Sequence, residues 1–455
     1  METIIVVIFI LGYLAIALEH NLKIDKLIPA LAMMAILWAL VAFGIDTFPN
    51  WFDSAGHKLI EGFANFSLAE RHHLLEETLL HHLGKTAEIL FFLLGAMTIV
   101  EIIDYFDGFS TIKDFVKTKS KKNLLWIFAG LAFILSSIID NLTATIVLVT
   151  ILQKIINDKN TRLWFASLII IAANAGGAWS PIGDVTTTML WIGKKVTSAK
   201  LMEYLIIPSL VCVVVPVFIA SFMKPFKGNI DNELEDEGFK SKYGPRMLYL
   251  GLGSIIFVPI FKTITHLPPY VGMMLSLAVV AIFAEIYSRR HFKLTTLEDN
   301  DDEETIGFHS PVHKSLSRIE MPSVLFFFGI LMAVAALESL GLLFNGAEAL
   351  KIMVPNTDIV VMALGVGSAV IDNVPLVAAS MGMFQEPIDA HLWHFVAYSA
   401  GTGGSMLIIG SAAGVVAMGM EKINFMWYFK NITWLAAAGF VAGSIAFMLM
   451  RNFTF

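Results

Sequence analysis

Two Asp-Asn pairs, Asp140-Asn141 and Asp372-Asn373, interrupt the centres of the apolar stretches 123–156 and 358–385. An ionised carboxylate at membrane depth costs at least about 2.5 kcal/mol and is rarely kept without a use. Each Asn adds a neutral carbonyl oxygen, and Ser136 and Ser368, one turn before each Asp, add hydroxyls. An oxygen-only set of this kind suits a hard cation such as sodium. A carboxylate also takes a proton, and burial beside a second carboxylate favours that form. A group that holds either a cation or a proton, in competition, has the chemistry that exchange requires. Asp and Asn are also good helix N-caps, a structural role compatible with the first.

A second pair of motifs runs Asn174-Ala-Gly-Gly-Ala-Trp-Ser-Pro-Ile-Gly-Asp184-Val-Thr-Thr-Thr188 and Gly401-Thr402-Gly-Gly-Ser405 through Gly410-Ser411. Paired glycines and Pro181 break a helix and let backbone approach closely. Small residues also serve helix packing. Packing alone does not account for Asn174, Ser180, Asp184 and Thr186 to Thr188 on one broken segment. Asp184 stands where its counterpart is Ser411, so the expected site is asymmetric, with Asp184 a candidate proton carrier beside Asp140 or Asp372.

The elements that position these residues are membrane helices. Of 455 residues, 56% are hydrophobic and 15% charged, against roughly a quarter charged in soluble domains. The expected spans are 4–18, 27–43, 86–105, 163–193, 201–223, 246–262, 270–287, 321–343, 391–420 and 431–450, with polar loops at 46–84, 224–245 and 288–320. Such runs must be helices, because lipid offers the backbone no hydrogen bonds. Met1 to Leu18 lacks a basic leader and a cleavage site, and reads as a first span rather than a signal peptide. The single cysteine, Cys212, excludes disulfides and Cys-based metal sites, and no basic stripe points to nucleic acid.

The chain repeats itself at an offset of about 230 residues. Leu90 to Gly95 recurs as Leu325 to Gly329, Ser136 to Asn141 as Ser368 to Asn373, and Gly176-Gly177…Asp184 as Gly403-Gly404…Ser411. Lysines and arginines flank the first interrupted stretch at both ends (Lys113 to Lys122, then Lys154, Lys159 and Arg162) and are nearly missing around the second. By the positive-inside rule the first opens to the cytoplasm and the second to the outside. The expected fold is an all-α polytopic membrane protein with two inverted repeats, each holding a re-entrant hairpin and a discontinuous helix, about ten full spans plus two hairpins; interrupted stretches that crossed the membrane fully would instead make the halves parallel. The expected divisions are 1–85 (N-terminal spans and an external loop), 86–223 (first transport repeat), 224–320 (linker) and 321–455 (second, inverted repeat). Lys194, Lys195 and Lys200 sit outside under this arrangement, against the rule.

Other ionisable residues read as structural. Glu101 and Asp104 lie at the cytoplasmic end of span 86–105, with Glu338 matching Asp104 in the repeat, and the run Asp299 to Glu304 reads as a solvated linker. His72, His73, His81 and His82 fit an amphipathic helix on the external loop, and His394 an interfacial position.

At these motifs the sequence resembles the NhaD-type sodium/proton antiporters of the ion transporter superfamily. The resemblance covers about residues 86–450 and rests on Ser136 to Asn141, Asn174 to Thr187 and Ser368-Ala-Val-Ile-Asp372-Asn373-Val-Pro. It implies a secondary transporter rather than an enzyme, without a cofactor, taking Na+ (with Li+) and H+ as substrates. The matching positions imply an ion site drawn from Ser136, Asp140, Asn141, Asn174, Asp184, Thr186, Thr187, Ser368, Asp372, Asn373, Thr402 and Ser405. It further implies a homodimer in a bacterial inner membrane, with a rigid scaffold and a mobile transport domain. Superfamily relatives that carry citrate or dicarboxylates usually read Ser-Asn-Thr at these tips. Asp in both halves here would repel a dianion, and a neutral cargo such as arsenite is the nearer alternative.

Overall fold

The computed structural model describes residues 1–17, 22–53, 58–113, 116, 118–230, 243–295, 310–343, 345, 353–370 and 373–454. Asp372 and the run Asp299 to Glu304 lie outside the described residues. The described residues are almost entirely helical, and eight helices among them are long and apolar enough to cross a membrane.

The helices used below are α1 (Glu2–Ala17), α2 (Leu27–Phe43), α3 (Leu68–Tyr105), α4 (Lys121–Ile139), α5 (Asn141–Ile155), α6 (Lys159–Ala178), α7 (Val185–Ile192), α8 (Ser198–Ala220), α9 (Gly244–Thr265), α10 (Pro269–Thr295), α11 (Met321–Ser339), α12 (Thr357–Gly367), α13 (Asn373–Met383), α14 (His391–Gly403), α15 (Ala412–Glu421) and α16 (Thr433–Thr454). Shorter helical turns and one β-hairpin, Asn50–Asp53 with Lys58–Glu61, complete the described chain.

The expected polar loop 46–84 is shorter than its composition implies. Ser67 and Glu70 form a capping box, each bonding the other's backbone N–H, so α3 starts at Leu68 and runs 38 residues without a break. At 1.5 Å per residue it is roughly 57 Å long, well beyond a bilayer core of about 30 Å. The four histidines ride on this extension, and the division expected between residues 85 and 86 falls inside it.

Contacts mark two opposite ends of the bundle. At one, Arg162 pairs with Glu421 at 3.0 Å, Gln153 reaches Met420 O, Arg318 approaches Asp104 and Lys121 N donates to Gly228 O. At the other, Asp389 accepts from Thr197, Arg451 clasps Asp358 through both carboxylate oxygens, and Lys262 reaches Trp191 O. Helices α4 and α5 open at the first end, α12 and α13 at the second.

Two of the expected spans are broken. The stretch 163–193 becomes α6, an irregular segment, then α7, and 391–420 becomes α14, a second irregular segment, then α15. Glycine makes both breaks possible through close approach. A Cβ on Gly176 would strike the Phe133 backbone of α4, and one on Gly403 the Gly365 carbonyl of α12. Likewise a Cβ on Gly177 would meet Gly183 O, and one on Gly404 would meet Gly410 O. Ser136 donates to Ala173 O, and Ser368 to Ala400 O at 2.8 Å. Each helix pair is thus fastened to its broken helix by the same residues at matching positions.

Candidate ion-binding site

The turn between α4 and α5 is Asp140 itself. Its φ is +83°, a region that non-glycine residues rarely occupy, at a cost of about 1–3 kcal/mol. The local return is capping: Asp140 Oδ1 accepts from Thr143 N at 2.7 Å, and Oδ2 from Thr143 Oγ1 at 2.9 Å. The structural role anticipated for these aspartates is therefore real at Asp140, and it leaves the carboxylate half-buried on a cavity wall.

Asp184 does more. It caps α7, with Oδ1 accepting from Thr186 N at 2.8 Å and Thr186 Oγ1 at 2.7 Å. Its Oδ2 accepts from Asn141 Nδ2 at 2.6 Å, and both oxygens lie within 3.4 Å of Asn373 Nδ2. One buried carboxylate, 3% exposed, thus gathers amides from the first residues of both α5 and α13. Asn174 joins through Asn141 Nδ2, which reaches its Oδ1 at 3.1 Å, while its own Nδ2 donates to Ser411 Oγ at 3.0 Å and Ile170 O at 2.9 Å.

The structure therefore brings together Asp140, Asn141, Asn174, Asp184, Thr186 and Asn373. Ser136 and Ser368 lie one turn away, spending their protons on Ala173 O and Ala400 O. Thr187 donates to Asp184 O, Thr402 to Tyr398 O and Ser405 to Thr402 O, each within its own helix or cap. Three hydroxyls were not proposed as ligands from sequence, although Ser411 was noted as the counterpart of Asp184. Thr143 holds Asp140, Ser411 orients Asn174, and the buried hydroxyl of Thr145, one turn after Asn141, has no hydrogen-bond partner among the described residues. The first follows the Asp-x-x-Thr spacing of an N-cap, whereas the others needed the fold.

The cluster lines the smaller of two cavities that follow one another along the bundle. A cavity of about 100 Å³ is lined by Asp140, Asn141, Asp184 and Asn373 together with Lys26 and Glu320. A larger one of about 530 Å³ lies toward the other end, lined by His82, Lys85, Lys194, Lys195, Glu338 and Glu386 among others. The same four helices line both, and on each the change-over occupies one turn: between Ile89 and Phe92 on α3, Thr188 and Met189 on α7, Phe327 and Leu331 on α11, and Val374 and Ala378 on α13. The side chains named at this change-over are apolar apart from Thr188.

The donor set consists of carboxylate, amide and hydroxyl oxygens. Among the described residues no three His, Cys, Asp or Glu side chains gather as a metal cluster. That chemistry suits a hard, weakly held cation rather than a transition metal.

A family model described as "Citrate transporter" matches residues 13–394. Over 98% of its length the chain is 39% identical to "Sodium/proton antiporter 1" of Arabidopsis thaliana, covering 72% of that protein. It is 37% identical to "Sodium/proton antiporter 2" of the same plant, with 99% of the relative covered. It is 30% identical to "Na(+)/H(+) antiporter NhaD" of Vibrio cholerae, covering 91% of that protein. Full-length identity at this level and a polytopic helical structure agree with the resemblance carried by the Asp-Asn and glycine motifs: the chain is a multi-pass integral membrane protein of the NhaD-type sodium/proton antiporter family.

Proposed function

We propose that this protein exchanges Na+, and Li+, for H+ by alternating access, with Asp184 as the group for which cation and proton compete. The observation that carries this reading is the Asp184 carboxylate, buried between the amides of Asn141 and Asn373. An amide presents donor nitrogen and acceptor oxygen at nearly the same place. A half-turn about its terminal bond exchanges a carboxylate partner for a cation ligand. With Asn141 and Asn373 so turned, Asp184, Asp140 and the two Asn oxygens form an oxygen-lined seat. A proton on Asp184 removes the charge that holds the cation, and this makes the two cargoes mutually exclusive.

Two cavities in succession along α3, α7, α11 and α13, with the cluster lining the smaller, support alternating rather than simultaneous access. The matched contacts of α4–α6 and α12–α14, opening at opposite ends, support two inverted repeats that move together as a transport domain in an elevator-type step. Helices α3 and α11, with α2, α9 and α10, would form the scaffold of a homodimer. The divisions at residues 224 and 321 are retained here as limits of the two repeats, that at 86 falls inside the scaffold helix α3, and Asp372 is a further ligand. Lysine and arginine density places the Arg162–Glu421 end in the cytoplasm. The relatives come from a plant as well as bacteria, and we assign the protein to an energised membrane, the bacterial inner membrane on the family resemblance.

Citrate, the substrate in the family model's description, fits poorly, because Asp140 and Asp184 face one small cavity and repel a multiply charged anion. The test uses proteoliposomes loaded with a pH-sensitive dye under an imposed acid gradient. Sodium or lithium should discharge the gradient, and Asp184→Asn should abolish the response. Discharge by citrate or arsenite without any response to sodium would overturn the reading.

A further inference from the structure

Asp184 sits at one end of an eight-residue helix, α7, and the other end is held by a cation from a different part of the bundle. Lys262, near the end of α9, donates from Nζ to Trp191 O at 3.3 Å, and the same ammonium lies 4.3 Å from the centre of the Trp191 ring. Trp191 is 1% exposed and meets Phe92 of α3 edge-to-face, with ring centroids 6.1 Å apart. Helix α9 packs along α10 and α3, while α7 packs on α13 and α14. The Lys262–Trp191 contact therefore joins the α3–α9–α10 group to the rod that carries the candidate ion ligand. The C-terminal carbonyls of a helix favour a cation, and a Trp face strengthens the hold where water is scarce.

Resting on the alternating-access reading above, we propose that Lys262 is a positioning residue: its ammonium holds the Trp191 end of α7 so that Asp184 faces the 100 Å³ cavity. Release of that contact is then a required step in exposing the cluster to the 530 Å³ cavity. Arginine at this position supplies a cation, a donor and ring stacking, whereas methionine supplies only bulk.

Sidedness tests this. In a Cys212→Ser background carrying Val374→Cys, a membrane-impermeant thiol reagent is applied to sealed, oriented vesicles from either face. Val374 lines the smaller cavity. Lys262→Met is expected to raise labelling from the large-cavity face about tenfold, equivalent to ~1.4 kcal/mol, with Lys262→Arg close to the native rate. The apparent KM for sodium on that face should fall by a similar factor, because the competent population rises. Should Lys262→Met fail to assemble, Lys262→Gln keeps a neutral donor on a side chain one bond shorter and is expected to lie between the two. Unchanged sidedness and unchanged KM in a folded Met or Gln variant that still exchanges sodium would overturn the proposal. A native protein without sodium-dependent proton exchange would remove its premise and the exchange reading together.

Discussion

The side-chain amide of Asn141, at the start of α5, donates to the Asp184 carboxylate at 2.6 Å across 43 residues of sequence. The contact ties a hairpin tip to the broken helix beside it, and Asn373 repeats it from the second hairpin at 3.3 Å. Replacing either Asn by Ala leaves Asp184 short of a buried partner, at a cost of about 1–3 kcal/mol. The expected outcome is a roughly 10–100-fold rise in the sodium concentration for half-maximal exchange, larger for Asn141 because its bond is shorter. Dye-loaded proteoliposomes read this directly, and equal affinity in all three proteins would remove both amides from the site.

Asp140 separates function from stability. Asp140→Gly removes the carboxylate and its cap, about 1 kcal/mol, but relieves a positive φ that costs about 1–3 kcal/mol. Thermal unfolding in detergent should stay within a few degrees of native while sodium-driven exchange is lost. Retained exchange would show that Asp140 serves only as a cap.

Glycine positions give a graded comparison. Gly176→Ala and Gly403→Ala each drive a methyl into backbone of the neighbouring hairpin arm, and overpacking of this kind costs about 1–3 kcal/mol. Gly130→Ala, on α4 with nothing within 4 Å of the new methyl, should leave the melting temperature level or raise it. A reversed order would mean that the breaks are not set by close backbone approach.

Charge burial orders two ion pairs. Glu421 has a side chain 1% exposed and takes Arg162 Nε on both oxygens, so Arg162→Ala strands a buried carboxylate and should cost about 3–5 kcal/mol. Arg71 pairs with Asp46, whose side chain is 66% exposed, and Asp46→Ala should cost under about 1 kcal/mol. Melting curves of the two variants test the ranking.

Asp158 gives a pH dependence outside the spans. Hydrogen bonds from the Thr161 side chain and backbone N–H hold its carboxyl below the usual carboxylate range. The depressed value makes its stabilisation fully present above the unfolded pKa, about 4, and progressively lost as pH falls through the lower folded value. Asp158→Ala should therefore melt below the native protein at pH 7, with the gap narrowing toward pH 3. A gap that widens on acidification would contradict the assignment.

Much was legible in sequence because membrane helices announce themselves by composition and breaks by glycine, proline and buried charge. The twenty-residue apolar runs located the spans, and Asp140, Asn174, Asp184 and Asn373 stood out because a polar group in lipid is costly. The start of α3 was missed in the apolar profile, since a capping box extends a helix through polar sequence as readily as apolar. Ser136, Ser368, Thr402 and Ser405 show the opposite limit. Each hydroxyl had the right depth, yet each donates to a nearby carbonyl, and a sequence does not say which way a hydroxyl turns. By itself, then, the sequence determined a polytopic helical protein with an Asp-Asn pair at each of two matched interruptions, because transfer free energy is a property of residue type. Only the tertiary structure decided that Asp184, rather than Asp140, receives amides from both hairpins, and that Lys262 reaches Trp191. Those contacts join residues far apart in the chain, and their distances follow from how the helices pack.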